Sequence, residues 1–95
     1  MLYDVSYHPA VKTEDLPPIP HNMRARIRTA IERRLMREPV KYGDPLKRSL
    51  SGYRKLRVGD YRVIYKVDNQ TIIILKIGHR KEVYNKTGSR IKEQP

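Results

Sequence analysis

The chain has 95 residues, in which 21 lysines and arginines outnumber 10 aspartates and glutamates and give a formal net charge of +11. A chain of this length has room for one modest core, so we expect residues 1–95 to form a single domain. A charge of this size is tolerated when the partner is a polyanion, which favours nucleic acid first and an acidic protein second.

Several classes of function are excluded by what the sequence lacks. It has no cysteine, which excludes disulfides and thiolate chemistry. His8, His21 and His79 are too scattered to form a metal site, so we predict neither a metal nor a cofactor. The longest apolar run, Thr71–Ile77, is too short to span a membrane, and no signal-peptide pattern is visible. We therefore expect a cytoplasmic protein without a membrane partner.

The first half of the chain predicts one strand followed by helices. Leu2–Tyr7 alternates between two faces, which is typical of a strand. A short helical turn is expected around Ala10–Leu16, and the three prolines that follow prevent it from continuing. Asn22 is suited to cap a helix whose apolar residues recur at three- and four-residue spacing as far as Leu35. Pro39 is expected to stop that helix.

Beyond residue 52 the apolar period changes from helical to two. Tyr53–Val58 and Tyr61–Val67, separated by Gly59 and Asp60, predict a hairpin. The continuous Ile/Leu run of Thr71–Ile77 favours a central strand that is covered on both faces.

The end of the chain completes the predicted fold. A short extended piece around Glu82–Tyr84 is expected to return to the sheet, and the polar residues 85–95 predict a flexible basic tail. The element order β-α-(α)-β-β-β predicts a small α+β domain. Its mainly antiparallel sheet of about four strands would pack against one or two N-terminal helices.

Basic side chains recur on one face of the predicted hairpin. Lys55 and Arg57 share a face of one strand, and Arg62 lies on the next strand. Arg80 and Tyr84 follow the last strand, so they can lie beside this cluster. A solvated basic sheet face is the simpler interpretation, and the clustering depends on register, because a one-residue slip turns the set to the other face.

Two segments carry a resemblance to a known family. Residues 47–65 read K-x-S-L-S-G-Y-R-K-L-R-V-G-D-Y-R-V-I-Y, and Gly78–Tyr84 read G-H-R-K-E-V-Y. With these segments the chain resembles the RelE/ParE toxin superfamily, and within it the RelE-like ribosome-dependent mRNA interferases of type II toxin–antitoxin systems. The resemblance covers nearly the whole chain and implies a RelE-like fold.

The resemblance also implies which residues act on RNA. Catalytic roles fall on Lys55, Arg62, Arg80 and Tyr84. RNA-binding roles fall on Arg54, Arg57, His79 and Lys81. The implied reaction is the attack of an mRNA 2′-OH on its own 3′ phosphate in the ribosomal A site, without a metal.

Each catalytic residue has an implied role. Arg62 would stabilise the negative charge of the phosphorane. Lys55 would act as general base or as electrostatic support, Arg80 would hold the phosphate or assist the leaving 5′ oxygen, and Tyr84 would orient the nucleotide or activate the 2′-OH. Ordinary pKa values of about 10 for tyrosine and about 10.4 for lysine make either a poor base, unless neighbouring cations lower them.

Some assignments stay open at this point. His79 is suited by its type to acid or base chemistry, but a structural or substrate-edge role is favoured because adjacent residues on an extended segment point opposite ways. Arg54 would replace Arg57 if a bulge shifts the face of the strand. Only Lys81 and Glu82 separate Arg80 from the final Val-Tyr pair, whereas some relatives have a longer spacer there.

Two other functions compete with the nuclease. One is a ParE-like, non-nucleolytic toxin that inhibits DNA gyrase, a branch that generally lacks the full set of arginines and terminal tyrosine. The other is a nucleic-acid-binding module without chemistry. As partners, the resemblance implies mRNA, ribosomal RNA contacted by an Arg-rich helix, and a cognate RelB-like antitoxin of acidic character. The free toxin is expected to be a monomer.

Overall fold

Five strands form one sheet in a computed structural model that describes residues 2–85 and 87–92. Their spatial order is β1-β5-β4-β3-β2, with β1 parallel to β5 and every other neighbouring pair antiparallel. The strands are β1 (Asp4–Tyr7), β2 (Asp44–Pro45), β3 (Arg54–Val58), β4 (Tyr61–Asp68) and β5 (Thr71–His79). The predicted α+β class is confirmed. The sheet has one strand more than expected, since the short Asp-Pro strand β2 has no apolar pattern by which the sequence could predict it.

Helices lie on both faces of the sheet: the long N-terminal helix covers one face, and the C-terminal helix packs through Ile91 against the other. They are a π-helical turn (Val11–Asp15), α1 (His21–Ala30) with a π-helical continuation (Ile31–Leu35), α2 (Pro39–Tyr42), a 3₁₀ turn (Arg48–Leu50) and α3 (Thr87–Lys92). No helix among the described residues is long and apolar enough to cross a membrane.

Two predicted helix boundaries are wrong. Asn22 does not cap α1, which begins one residue earlier and follows Pro20 without a side-chain cap. Pro39 does not stop the helix, which has already ended with the π-helical turn at Leu35. Pro39 instead begins α2, a position where its missing N–H costs no hydrogen bond.

The main core lies between α1 and the sheet. Ile27, Ile31 and Leu35 form the apolar stripe of the helix and its continuation, and each is at most 2% exposed. Their partners from the strands include Leu56, Val58, Val63, Tyr65, Ile72, Ile74 and Ile77. Burying this stripe against the sheet removes apolar surface from water and holds the helix in place.

A smaller core covers the opposite face of the sheet. It contains Tyr53, Ile64, Leu75 and Val83. The register shifts at Ile64/Tyr65, where Ile64 pairs with Lys76 but Tyr65 pairs with Ile74. Leu75 is therefore the extra residue of a β-bulge, which turns it toward the second core. The predicted central strand with apolar cover on both faces is confirmed in β5.

The chain after β5 differs from the prediction. Residues 80–85 form turns, and the amides of Glu82 and Val83 both donate to the carbonyl of His79 at 2.9 Å. The prediction that Glu82–Tyr84 forms a short extended piece that returns to the sheet is therefore wrong. Where a flexible tail was expected, Thr87–Lys92 forms α3, and residues 93–95 lie outside the described residues.

Candidate nucleic-acid interface

The tight turn between β3 and β4 sets the geometry of the basic residues. Gly59 adopts φ +59° in a two-residue loop with Asp60, a conformation that glycine reaches without the Cβ clash of other residues. The loop fixes the register, so Arg57 lies directly opposite Arg62. Arg62 in turn lies opposite Gly78 of β5.

Lys55, Arg57 and Arg62 share the face of the sheet that is turned away from α1. Lys55 and Arg57 alternate along β3 with Leu56 and Val58, which are buried in the main core. Arg57 is exposed, whereas Lys55 and Arg62 are half-buried. The sequence-predicted clustering is present, and we call Lys55, Arg57, Arg62 and Arg80 the cationic patch.

Arg62 is held in place by the turn beside it. Its Nη1 donates to the carbonyl oxygen of Gly59 at 3.0 Å and to that of Tyr61 at 2.9 Å. Both bonds use the same nitrogen, so the rest of the guanidinium can meet an anion. An arginine fixed in this way has already lost much of the rotamer freedom that binding would otherwise remove.

Arg80 is attached to the same turn from the other side. Its backbone N–H donates to the carbonyl of Asp60 at 2.8 Å, and its Nε lies 4.0 Å from Asp60 Oδ1. The Arg80 side chain is 56% exposed, so this ion pair is weak and can yield to a phosphate. Arg62 and Arg80 therefore flank the Gly59-Asp60 turn.

Tyr84 and Lys81 lie in the turn that follows β5. Val83 is fully buried, and a Cβ built on Gly78 would lie 3.4 Å from its Cα, so the turn folds back over the Gly78 end of β5. Tyr84 follows Val83 with 42% exposure, and Lys81 is exposed. The predicted phenol thus belongs to the segment that covers the strand end next to Arg62.

Two predicted RNA-binding residues are placed apart from the patch. Arg54 is opposite Tyr65, on the α1 side of the sheet, and its Nη1 donates to the carbonyl of Gly43 at 2.7 Å. His79 is opposite Tyr61, and their rings meet edge to face at 5.7 Å. Strand alternation therefore supports the choice of Arg57 over Arg54.

A basic groove next to the patch is formed in part by the Arg-rich helix that was expected to contact ribosomal RNA. The groove has a volume of about 610 Å³, and among residues 2–85 and 87–92 no acidic residue lines it. Four arginines of α1, its continuation and β3 line it: Arg26, Arg33, Arg34 and Arg57. The spacing of Arg26 and Arg33, seven residues apart, is the signal that places them on one helix face. Arg57 lies on the part of β3 that β2 does not cover, so it borders the groove on the α1 side as well as the patch on the opposite face.

The donor set defines what the surface can do chemically. Within residues 2–85 and 87–92, no three His, Asp or Glu side chains come together as metal ligands. The patch instead presents guanidinium and ammonium groups, which bind phosphate through charge-assisted hydrogen bonds. Such groups match a phosphodiester and, better still, the more highly charged phosphorane that forms during its cleavage.

Comparison with known proteins finds toxins among the relatives of this chain. Residues 7–84 match the family described as the ParE toxin of the type II toxin–antitoxin system, parDE. The toxin RelG of Mycobacterium tuberculosis is 41% identical over 54 residues, which cover 55% of this chain and 62% of RelG. The toxin RelE of the same organism is 31% identical over 86 residues, which cover 85% of this chain and 89% of RelE.

A solved structure shows the same fold. The crystal structure of the toxin–antitoxin complex RelBE2 from Mycobacterium tuberculosis contains a chain with a TM-score of 0.74 and 32% identity. The match covers 84% of this chain and 100% of that chain.

Proposed function

Because the chain belongs to the RelE/ParE superfamily of toxins from type II toxin–antitoxin systems, we propose that it is an endoribonuclease that cleaves mRNA in the ribosomal A site. The observation that carries the proposal is the pairing of Arg57 with Arg62 across the hairpin, with Arg80 attached to the same turn. Three guanidiniums around one turn form a site for a phosphate.

The proposed reaction is an internal transesterification. The 2′-OH oxygen attacks the adjacent phosphorus, and the phosphorane collapses with loss of the 5′ oxygen. The products are a 2′,3′-cyclic phosphate and a 5′-OH, and the proton lost from the 2′-OH is balanced by the proton gained by the 5′ oxygen. No metal is required, because fixed cations can stabilise the added negative charge.

Each predicted catalytic residue has a role in this proposal. Arg62, anchored through Nη1, faces the equatorial oxygens of the phosphorane. Arg80, exposed and weakly paired with Asp60, takes the phosphate or assists the leaving oxygen. Lys55, on the face shared with Arg57, supports the charge or takes the proton. Tyr84 orients the nucleotide or activates the 2′-OH.

The basic groove suggests how the enzyme meets the ribosome. A groove lined by four arginines, and by no acidic side chain of the described residues, is suited to phosphate backbones, and ribosomal RNA offers these in excess. Arg57 links the groove to the patch, and Lys81, which is exposed next to Arg80, extends the cationic surface. We propose that ribosomal RNA binds the groove while mRNA reaches the patch, and that a RelB-like acidic antitoxin silences the toxin.

Gyrase inhibition is the second candidate, because the family that matches residues 7–84 is described as a ParE toxin. That function would act through protein contact and would not need the Arg62, Arg80 and Tyr84 set. The nuclease is favoured here because the fold brings two of these arginines to one turn.

One experiment separates these functions. The purified chain is added to translating ribosomes programmed with a defined mRNA, beside Arg62→Ala, Tyr84→Phe and the control Arg37→Ala, and new 5′ ends are mapped by primer extension. Arg37 is exposed and lies outside the patch. Cuts in the A-site codon that weaken in Arg62→Ala and Tyr84→Phe, but not in Arg37→Ala, support the nuclease. Intact mRNA with every protein excludes it and directs the next assay to DNA supercoiling by gyrase.

A further inference from the structure

A buried ion pair joins two parts of the chain that are 75 residues apart. Arg90 Nη1 lies 2.5 Å from Asp15 Oδ2, and Arg90 Nη2 lies 2.7 Å from Asp15 Oδ1. The two side chains are only 7% and 6% exposed. A buried pair of this kind adds little stability compared with apolar residues of the same size, so stability alone does not explain its presence.

The pair closes an open edge of the sheet. β1 is paired with β5 only as far as Ile74, and no other strand of the described residues lies beside the next part of that edge. There the N–H of Ile77 donates to Asp15 Oδ2 at 2.9 Å, and Arg90 Nη1 donates to the carbonyl of Leu75 at 3.2 Å. The ion pair thus provides the hydrogen bonds that a neighbouring strand would provide.

The same pair holds α3 on the sheet. With six residues, α3 is too short to be stable as an isolated helix. Its first residue, Thr87, donates through Oγ1 to the carbonyl of Val83 at 2.7 Å, which links the helix to the preceding turn. Residues 80–85 are therefore fixed at one end by β5 and at the other by α3.

That turn carries Arg80 at its start and Tyr84 near its end. We propose that Asp15 and Arg90 are positioning residues, which hold the turn so that Arg80 and Tyr84 stand beside Arg62; this rests on the proposed nuclease function. Neither residue belongs to the cationic patch. They act by fixing the segment that delivers two of the reacting side chains.

Steady-state cleavage kinetics on programmed ribosomes test this role. Arg90→Met should lower kcat about 10–100-fold, because small misplacements of catalytic groups are costly. KM should stay within about twofold, since Lys55, Arg57 and Arg62 lie on strands that the pair does not hold and charge-assisted phosphate contacts supply the affinity. Arg90→Lys, which keeps the charge, should recover part of kcat. Lys92→Met removes the same charge from the same helix and should behave as wild type.

Hydrogen exchange of backbone amides gives a readout independent of catalysis. In Arg90→Met, the amides of Val83 and Asn85 should lose protection, while that of Ile64 in β4 keeps it. Loss of protection throughout the sheet would show a general stabilising role and overturn the proposal. Unchanged protection of the Val83 and Asn85 amides would also overturn it, and so would loss of their protection without a fall in kcat. If Arg90→Met does not fold, the same comparison is made with Arg90→Lys. An inactive wild-type chain whose turn still depends on Arg90 would reject the nuclease while retaining the mechanical link.

Discussion

Replacing Arg57 with glutamine should stabilise the protein while weakening its action on RNA. Arg57 and Arg62 lie directly opposite each other in an antiparallel pair, and like charges in that arrangement are destabilising. Arg62 cannot swing away freely, because its Nη1 donates to the carbonyls of Gly59 and Tyr61. The repulsion is therefore built into the hairpin, as expected of a site selected for binding an anion.

The size of the effect follows from Coulomb's law. Two unit charges about 7 Å apart in water repel by about 0.6 kcal/mol, which lies within the range measured for cross-strand pairs. For a domain of this size, that free energy corresponds to a rise in Tm of about 2–5 °C. Arg57 is exposed and Arg62 is only half-buried, so salt ions reach both charges. The Debye length falls from about 10 Å at 0.1 M salt to about 3 Å at 1 M, so the gain should disappear at high salt.

Thermal unfolding followed by circular dichroism, at low and at high salt, measures this gain. Arg37→Gln is the matched control, because it removes one exposed arginine outside the patch and lowers the net charge equally. Arg57→Lys keeps the charge and should gain nothing. In the ribosome assay, Arg57→Gln should lower cleavage about 10–100-fold, the value of one hydrogen bond to a charged group.

The reasoning fails if Arg57→Gln lowers Tm, or if it gains no more than Arg37→Gln at low salt. A gain that persists in 1 M salt would also refute it, since screening must remove a repulsion between exposed charges. Unchanged cleavage alongside the gain in Tm would keep the electrostatic argument and remove Arg57 from the RNA site.

Further predictions concern the contact between α2 and Tyr65, and the hairpin formed by β3 and β4. The hydroxyl of buried Tyr65 donates to the carbonyl of Pro39 at 2.6 Å, so Tyr65→Phe should lower the free energy of unfolding in urea by about 1–3 kcal/mol. Burial raises the pKa of Tyr65 to about 12, above its ordinary 10. The stability that neutral Tyr65 contributes is therefore present below pH 10 and is lost as pH rises to 12. The difference in free energy of unfolding between wild type and Tyr65→Phe should shrink across that window. Gly43→Ala should destabilise strongly, because its Cβ would lie 1.7 Å from the Tyr65 hydroxyl oxygen, and Tyr65→Phe should relieve only part of the cost, since the ring carbon Cζ remains at 2.6 Å. Gly59→Ala should cost about 1–2 kcal/mol at φ +59° and should slow cleavage by moving the carbonyl that holds Arg62, whereas Gly59→Asn should be milder in both assays.

The hairpin that carries the patch could be predicted from the sequence. Alternation of basic and apolar residues defines the two strands, and Gly59-Asp60 marks the turn between them. The sequence alone left their register open, because a one-residue slip turns the basic side chains to the other face. The structure fixes the register, with Arg57 opposite Arg62 and with Leu56 and Val58 buried.

The C-terminal segment could not be predicted in the same way. The only apolar residue of α3 is Ile91, which packs against the second core, and the helix is also held by the contact between Arg90 and Asp15 on a distant turn. The parallel pairing of β1 with β5 likewise joins residues far apart in the chain, such as Asp4 and Thr71. Neither contact leaves a periodic signal in the sequence, so tertiary structure alone reveals them.

The fold gives different roles to arginines that count equally toward the net charge. Arg54 donates to the carbonyls of Gly43 and Val40, and buried Arg90 donates to Asp15 and Leu75, so both serve the structure. Arg57 and Arg80 are exposed at the hairpin, and their charge is available to a polyanion. The salt dependence of RNA binding should therefore reflect the patch and the groove, and it should fall short of what the net charge of +11 suggests.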